Sequence, residues 1–282
     1  MHRPNVAALV RRDRDGVLYT TSAQLEREDL AAGFATRVGG VSGGCWQGLN
    51  FSFSSGDDEQ CVRENYARFC RALGAPQQGL IRAWQVHSDN IVVVTDRAQC
   101  LGPSPQTPPD RADILMTNLP GVALTTFYAD CVPVLLFDPV HRAVANVHAG
   151  WRGASIRNAR TAVAKMSELY RTDPADLLAA VGPAVCAGCY EVGEEVCEAF
   201  EETFEPGERE LIFSHVDGRP HVDLKLANVL TLLAAGLCEQ NIAASTDCTA
   251  HMSQLYFSHR RMGERRGNQI ALICLREEGE AK

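Results

Sequence analysis

Two residues with the chemistry of a soft ligand pair, Cys131 and His148, stand at the ends of two apolar, β-branched runs. Val132 to Phe137 and Ala143 to Val147 flank the turn Asp138-Pro139-Val140-His141, a pattern that predicts two short buried strands. Asp130-Cys131 precedes the first run and His148 closes the second, so polar groups gather at strand ends. Thiolate and imidazole combine in two ways. They can bind a borderline metal such as zinc, for which a third protein ligand would leave one coordination position open. Alternatively, Cys131 is a nucleophile and His148 its base. Their separation along the chain matches no local metal motif, so spacing leaves both readings open. Ala149-Gly150-Trp151-Arg152-Gly153 follows, a glycine turn into a helix N-terminus where free N–H groups and Arg152 suit an anion.

Other residues have weaker claims. The loop Thr36-Arg37-Val38-Gly39-Gly40-Val41-Ser42-Gly43-Gly44 is either a plain connection or a close approach of backbone to a ligand, with Arg37 favouring an anion. Leu49 to Phe53 alternates as a strand would, with Asn50 on its polar side. His87, just before a turn and the strand Ile91 to Thr95, reads by itself as a surface or capping residue. Asp113 either caps a turn or orients a ligand; Asp130 is a candidate general base or a partner of the ligands. Arg260 and Arg261 add positive charge near the C-terminus. Cys186-x-x-Cys189 could be a redox pair or half a zinc site. No second C-x-x-C completes four ligands and no thioredoxin-like context precedes it, so neither role is expected.

The elements that must position these groups are legible to different degrees. Residues 56–73 carry the clearest helix signature: Asp57 or Asp58 as cap, acids in the first turn, Val62, Tyr66, Phe69 and Leu73 at helical spacing, and Gly74 as the stop. After Gly153, one helix is predicted with Ile156, Ala159, Val163, Met166 and Tyr170 on its buried stripe. The proline-rich stretch 101–110 reads as a surface loop, Glu194 to Glu210 as the solvated face of a helix plus loop, and Gln269 to Leu275 as a terminal strand. With 282 residues, no repeat and no linker, one domain over 1–282 is expected, with 1–30 and 276–282 peripheral. A net charge of −8 argues against nucleic acid or anionic membrane as a partner. No apolar run approaches the roughly 18 residues of a membrane span, and no secretory signal is evident. Eleven cysteines without framework spacing suit reduced thiols in the cytoplasm.

Taken together, TRVGG (36–40), LNFS (49–52), QVH (85–87), ADCVPVLLFD (129–138), HAGWRG (148–153), VGPAVCAGCYEVGEEV (181–196) and CT…YFSHRR (248–261) resemble the laccase-domain, or YfiH-like, family over nearly the whole chain. The resemblance implies an α+β fold, a single-domain four-layer α/β/β/α sandwich with mixed sheets. It also implies a mononuclear Zn2+ on His87, Cys131 and His148, which supplies the missing third ligand. The implied activities are phosphorolysis of adenosine, inosine, guanosine and methylthioadenosine, and deamination of adenosine. Arg37, Asn50, Arg152, Arg260 and Arg261 are then the candidates for holding nucleoside and phosphate, with Asp130 beside the ligands, in a monomer or weak homodimer. Three rival readings remain: a copper (Cu2+) polyphenol oxidase, although the eight histidines include no His-x-His pair, a Cys-His hydrolase of cell-wall precursor amides, and a non-enzymatic partner protein with a structural metal.

Overall fold

The computed structural model describes residues 2–108 and 110–277. The paired apolar runs form an antiparallel hairpin, Val132–Asp138 and Ala143–Ala149, in which His148 opposes Pro133. This hairpin lies within a seven-stranded mixed sheet. Its strands, edge to edge, are Ala7–Ala8, Ile242–Ala244, Leu178–Val181, Val132–Asp138, Ala143–Ala149, Ile114–Thr117 and Ile91–Val93. A six-stranded mixed sheet runs Val10–Arg14, Val17–Thr21, Leu30–Ala35, Gln269–Leu275, Ala123–Tyr128 and Leu80–Ile81.

Strand alternation sorts the side chains into three apolar layers. Val134, Leu136, Ala145 and Val147 of the hairpin pack with Ala159, Val163 and Met166 of helix Asn158–Tyr170 and with Ala227 and Leu230 of helix Leu224–Ala234. Leu135, Phe137 and Val144 point the other way, against Phe34, Leu124 and Ile273 of the second sheet. The far face of that sheet takes Val62, Tyr66 and Phe69 of helix Glu59–Leu73. Helices, sheet, sheet, helix: this is the α/β/β/α order. His148 shares its strand face with Val144 and Asn146, so it stands at the open end of the layer between the sheets.

One polar residue crosses that layer. Asn146 is fully buried; its Nδ2 donates to the carbonyls of Leu124 and Ala271, both at 3.0 Å, and its Oδ1 accepts from Thr126 Oγ1 at 2.7 Å. All three partners belong to the opposite sheet, so Asn146 locks the two sheets in register two residues from His148.

The helix Glu59–Leu73 forms as its sequence predicts: Asp58 accepts from the N–H groups of Gln60 and Cys61, and Gly74 ends it at φ 67°. Elsewhere the structure departs from expectation. Leu49 to Phe53 is not a strand, because the Asn50 side chain ties the segment into local turns. The single helix after Gly153 is two, Trp151–Ser155 and Asn158–Tyr170, broken at Arg157 with φ 57°. Ile156 is consequently 46% exposed instead of lying on the core stripe. The break is held by the Arg157 guanidinium, which donates to the Thr203 carbonyl and pairs with Glu208. Glu208 is therefore buried, so the run from Glu194 is not all solvated face; it forms helices Glu194–Glu201 and Pro206–Ile212. The first thirty residues are not a fringe either, since they supply strands to both sheets, among them the largely buried Val17–Thr21.

Replacing Asn146 by Ala strands buried partners across the sheet interface, each costing about 1–3 kcal/mol. The expected loss is roughly 3 kcal/mol in a urea unfolding curve; an unshifted midpoint would show that the stitch carries no stability.

Candidate functional site

The turn before the hairpin places Cys131 at the mouth of the inter-sheet layer, and the strand end places His148 beside it. His87 arrives from the loop ahead of strand Ile91–Val93 with φ 62°, a left-handed conformation unfavourable to a side chain. One carboxylate accounts for both histidines. Asp113 Oδ2 accepts from the N–H groups of Val86 (3.1 Å) and Ser88 (2.7 Å), the two residues that flank His87, and from Ser88 Oγ at 2.9 Å. Its Oδ1 meets His148 Nδ1 at 2.8 Å, while its carbonyl accepts the His148 N–H, also at 2.8 Å. Asn158 closes the frame, donating to the carbonyls of Ser88 and His148.

With Nδ1 of His148 engaged, Nε2 is left to face Cys131. His87 Nε2 lies 4.0 Å from Cys131 Sγ, the two imidazole centroids are 5.0 Å apart, and one donor atom from each residue falls within 4.8 Å of the others. A nitrogen–sulfur–nitrogen set at this spacing, with one histidine backed by a carboxylate, fits a borderline divalent metal held by three protein ligands. The close approach requires Gly150, where a Cβ would lie 2.8 Å from His87 Cδ2 and 3.0 Å from Cys131 Sγ.

The electrostatics favour a thiolate. Burial pushes the Cys131 thiol up, but His148 and then His87 outweigh it and bring it down to about 6. Burial pulls His148 down, and Cys131 together with Asp113 raises it to about 9. Asp113 is held down at about 2: burial opposes its charge, and His148 and Ser88 override burial. In the metal-free protein the pair is thus thiolate and imidazolium near neutrality, and a metal bound there would displace the imidazolium proton.

Two cavities meet at these ligands, sharing His87, Ala129, Cys131 and Arg266. The larger, about 520 Å³, is walled by Phe53, Trp84 and Phe127, with Pro105 and Pro108 of the proline-rich loop closing one side. That loop is a surface loop that also lines the larger cavity. The smaller, about 370 Å³, carries the cations Arg152, Arg260 and Arg266. Arg152 stacks on Trp151 at 4.1 Å and Arg260 on Tyr190 at 4.9 Å.

The other sequence candidates lie elsewhere or do other work. Arg37 lines neither cavity; its guanidinium donates to the carbonyls of Gln47 and Ser253 and stacks on Phe257. Asn50 is buried and occupied, donating to Ser55 Oγ and Asp57 Oδ2 and accepting from the N–H groups of Ser52 and Asn268. Arg261 also lines neither cavity, and its N–H donates to Ser258 Oγ. Asp130 borders the smaller cavity, but both carboxylate oxygens are engaged, by Thr249 Oγ1 at 2.5 Å and the Arg260 N–H at 2.6 Å. That favours positioning of Cys131 over proton transfer. Sequence reading passed over Arg266, whose buried Nε has no protein partner; an arginine beside a glycine near the C-terminus gives no signal of its own.

Residues 31–276 match the family described as multi-copper polyphenol oxidoreductase laccase. A purine nucleoside phosphorylase of Bacteroides thetaiotaomicron is 33% identical over 243 residues, 85% of this chain and 89% of its own length. Adenosine deaminase RL5, from an unknown prokaryotic organism, is 33% identical over 258 residues, 89% of this chain and 98% of its own. The crystal structure of YlmD from Geobacillus stearothermophilus superposes with a TM-score of 0.87 at 32% identity, covering 94% of this chain and 98% of that one.

Asp113→Ala should weaken metal binding by about 10–100-fold in chelator competition; undiminished affinity would remove Asp113 as the orienting group. In metal-stripped protein, alkylation of Cys131 should be half-maximal near pH 6, rising with pH, and should shift toward the ordinary thiol range in His148→Ala. By linkage, the Cys131 contribution to metal-free stability is lost as pH falls through about 6, and that of His148 as pH rises through about 9.

Proposed function

The chain belongs to the laccase-domain family, and from the layout of its site we propose that it is a zinc-dependent purine nucleoside phosphorylase with adenosine deaminase activity. The observation that carries this reading is the junction itself: three ligand atoms converge where an aromatic cavity meets a cationic one. A nucleoside and a phosphate are an apolar, stackable base and a compact dianion joined through a ribose, and the two cavities offer complementary surfaces on either side of the ligands. The names of the relatives, purine nucleoside phosphorylase and adenosine deaminase, support the same assignment.

In this reading Trp84, 54% exposed at the rim, and Phe127 give the base a stacking surface. Gln85 does not read the base. Its amide is spent on the Phe127 backbone, donating to the carbonyl at 2.9 Å and accepting the N–H at 2.7 Å, so it sets the aromatic wall. Arg152, Arg260 and Arg266 bind phosphate and strip its water, aligning one oxygen with the sugar. That oxygen bonds to C1′ as the bond from C1′ to the base breaks, and the electron pair leaves with the base. A metal on His87, Cys131 and His148 supplies a Lewis acid when bound. For deamination, water instead adds to C6 of the purine ring, the C6–N bond breaks, and the amine leaves as ammonia with a proton from that water.

The low Cys131 thiol beside His148 would also suit a cysteine hydrolase. Alkylation separates the two: loss of turnover with metal retained favours the hydrolase, loss of both favours the metal centre.

Zinc-loaded protein incubated with adenosine, inosine or methylthioadenosine should release free base only with phosphate, by chromatography, and His148→Ala should not. Adenosine without phosphate should yield inosine. Arg266→Gln should raise the phosphate KM by about tenfold or more, as expected from losing a charged hydrogen bond, with metal content unchanged. Untouched nucleosides would end the purine reading.

A further inference from the structure

We propose that Cys186, Cys189, Cys248 and His251 form a second metal centre, a four-ligand structural zinc site separate from the His87–Cys131–His148 centre. The C-x-x-C that had no partner in the sequence finds one in the fold, and the partner is a C-x-x-H. Strand Leu178–Val181 feeds the loop carrying Cys186 and Cys189; strand Ile242–Ala244, its parallel neighbour, feeds the loop carrying Cys248 and His251. The loops run on side by side, with Ala184 bridged to Cys248 and the Thr249 N–H donating to the Ala184 carbonyl at 3.1 Å.

One donor atom from each of the four residues lies within 4.8 Å of the rest. Cys189 Sγ is 3.0 Å from His251 Nε2, and Cys186 Sγ is 3.8 Å from His251 Nδ1. Bonds of about 2.3 Å to sulfur and about 2.0–2.1 Å to nitrogen put tetrahedral donors roughly 3.5–3.8 Å apart. The two sulfurs face opposite nitrogens of His251, which offers only one to a metal, so the imidazole and the cysteine side chains turn to close the set around one zinc. The backbone is arranged for negative sulfur: Cys248 Sγ accepts from the N–H groups of Cys186 (3.3 Å) and His251 (3.5 Å). Three thiolates exceed the charge of one zinc ion by one, and the buried Lys225 ammonium sits on the carbonyl of Asp247, the residue before Cys248, at 2.6 Å. All eleven cysteines are unpaired. A dithiol redox pair would need neither Cys248 nor His251.

The loops need a cross-link. Among the described residues their own apolar cluster has only three buried members, Val185, Cys248 and Ala250. Yet they hold the turn that presents Cys131: the Val185 N–H donates to the Asp130 carbonyl at 3.2 Å, and Thr249 Oγ1 to its carboxylate. Four protein ligands leave no open position, which makes the centre a brace and not a second place of reaction.

Elemental analysis of the tag-free full chain tests this without any assay of turnover, so the result is independent of the reaction at the first centre. Wild type should carry two zinc ions per chain. A variant combining His87→Ala, Cys131→Ser and His148→Ala should keep one, and adding Cys189→Ser and His251→Ala should abolish it. Cobalt substitution in the first of these variants should give tetrahedral bands with thiolate-to-metal charge transfer. Should the five-site variant not accumulate, the three-site variant decides alone. Its folded form retaining one zinc with that spectrum sustains the site, and its holding none overturns it. A Cys186–Cys189 disulfide, found by alkylation and mass spectrometry in freshly purified protein, would also overturn it.

Discussion

The buried carboxylate of Asp113 is the constraint on which the site depends. A ligand set drawn from three separate segments has no local geometry of its own, so something must convert tertiary structure into fixed donor positions. Asp113 does so from a rigid place, next to strand Ile114–Thr117 and hydrogen-bonded to the neighbouring strand through His148. One oxygen sets the tautomer and rotation of His148; the other grips the two amides around His87. A left-handed φ at a bulky residue costs of order 1–3 kcal/mol, and the two charge-assisted amide bonds offset it where the strain arises. The histidine is thus held ready for a ligand instead of being ordered by one.

The sheets contribute the other half of that rigidity. Because side chains alternate along the hairpin, the residues that build the inter-sheet layer and His148 at its end share one face of one strand. Val144 packs, Asn146 stitches, and His148 stands beside Cys131 and His87. A slip of one residue would bury His148 among the helices and turn Val147 to the site. The Asn146 bonds across the layer oppose such a slip, so stability of the sandwich and placement of the ligand have one cause.

Much of this was legible in the chain. Two β-branched runs about a turn announced the hairpin, and the polar residues at their ends announced Cys131 and His148. That His87 lies beside Cys131 and His148 was not legible from His87 itself, because a histidine before a turn looks like any surface residue; the resemblance to a family is what grouped the three. Arg37 and Asn50 are polar residues in irregular loops whose side chains are taken up by protein groups, Arg37 by the Gln47 and Ser253 carbonyls and Asn50 by Ser55, Asp57, Ser52 and Asn268. From sequence, a side chain occupied in this way cannot be told from one that awaits a ligand. The break at Arg157 escaped for the opposite reason: local pattern favoured one helix, and a partner 51 residues away, Glu208, overrode it.

Asp113 and Asp130, both buried carboxylates beside the His87–Cys131–His148 cluster, differ in role. Asp113 touches a ligand ring directly, so its charge raises the basicity of that ring and is felt by whatever the ring binds. Asp130 touches no ring. Its oxygens are taken by Thr249 and the Arg260 amide, and its own φ of 94° aims the next residue, Cys131, into the junction. One carboxylate therefore acts electrostatically and the other sterically. The second has a further effect, because the amide it holds belongs to Arg260, whose side chain borders the cationic cavity. The positions of Cys131 and of Arg260 are then tied to a single residue, and displacing Asp130 would move both at once.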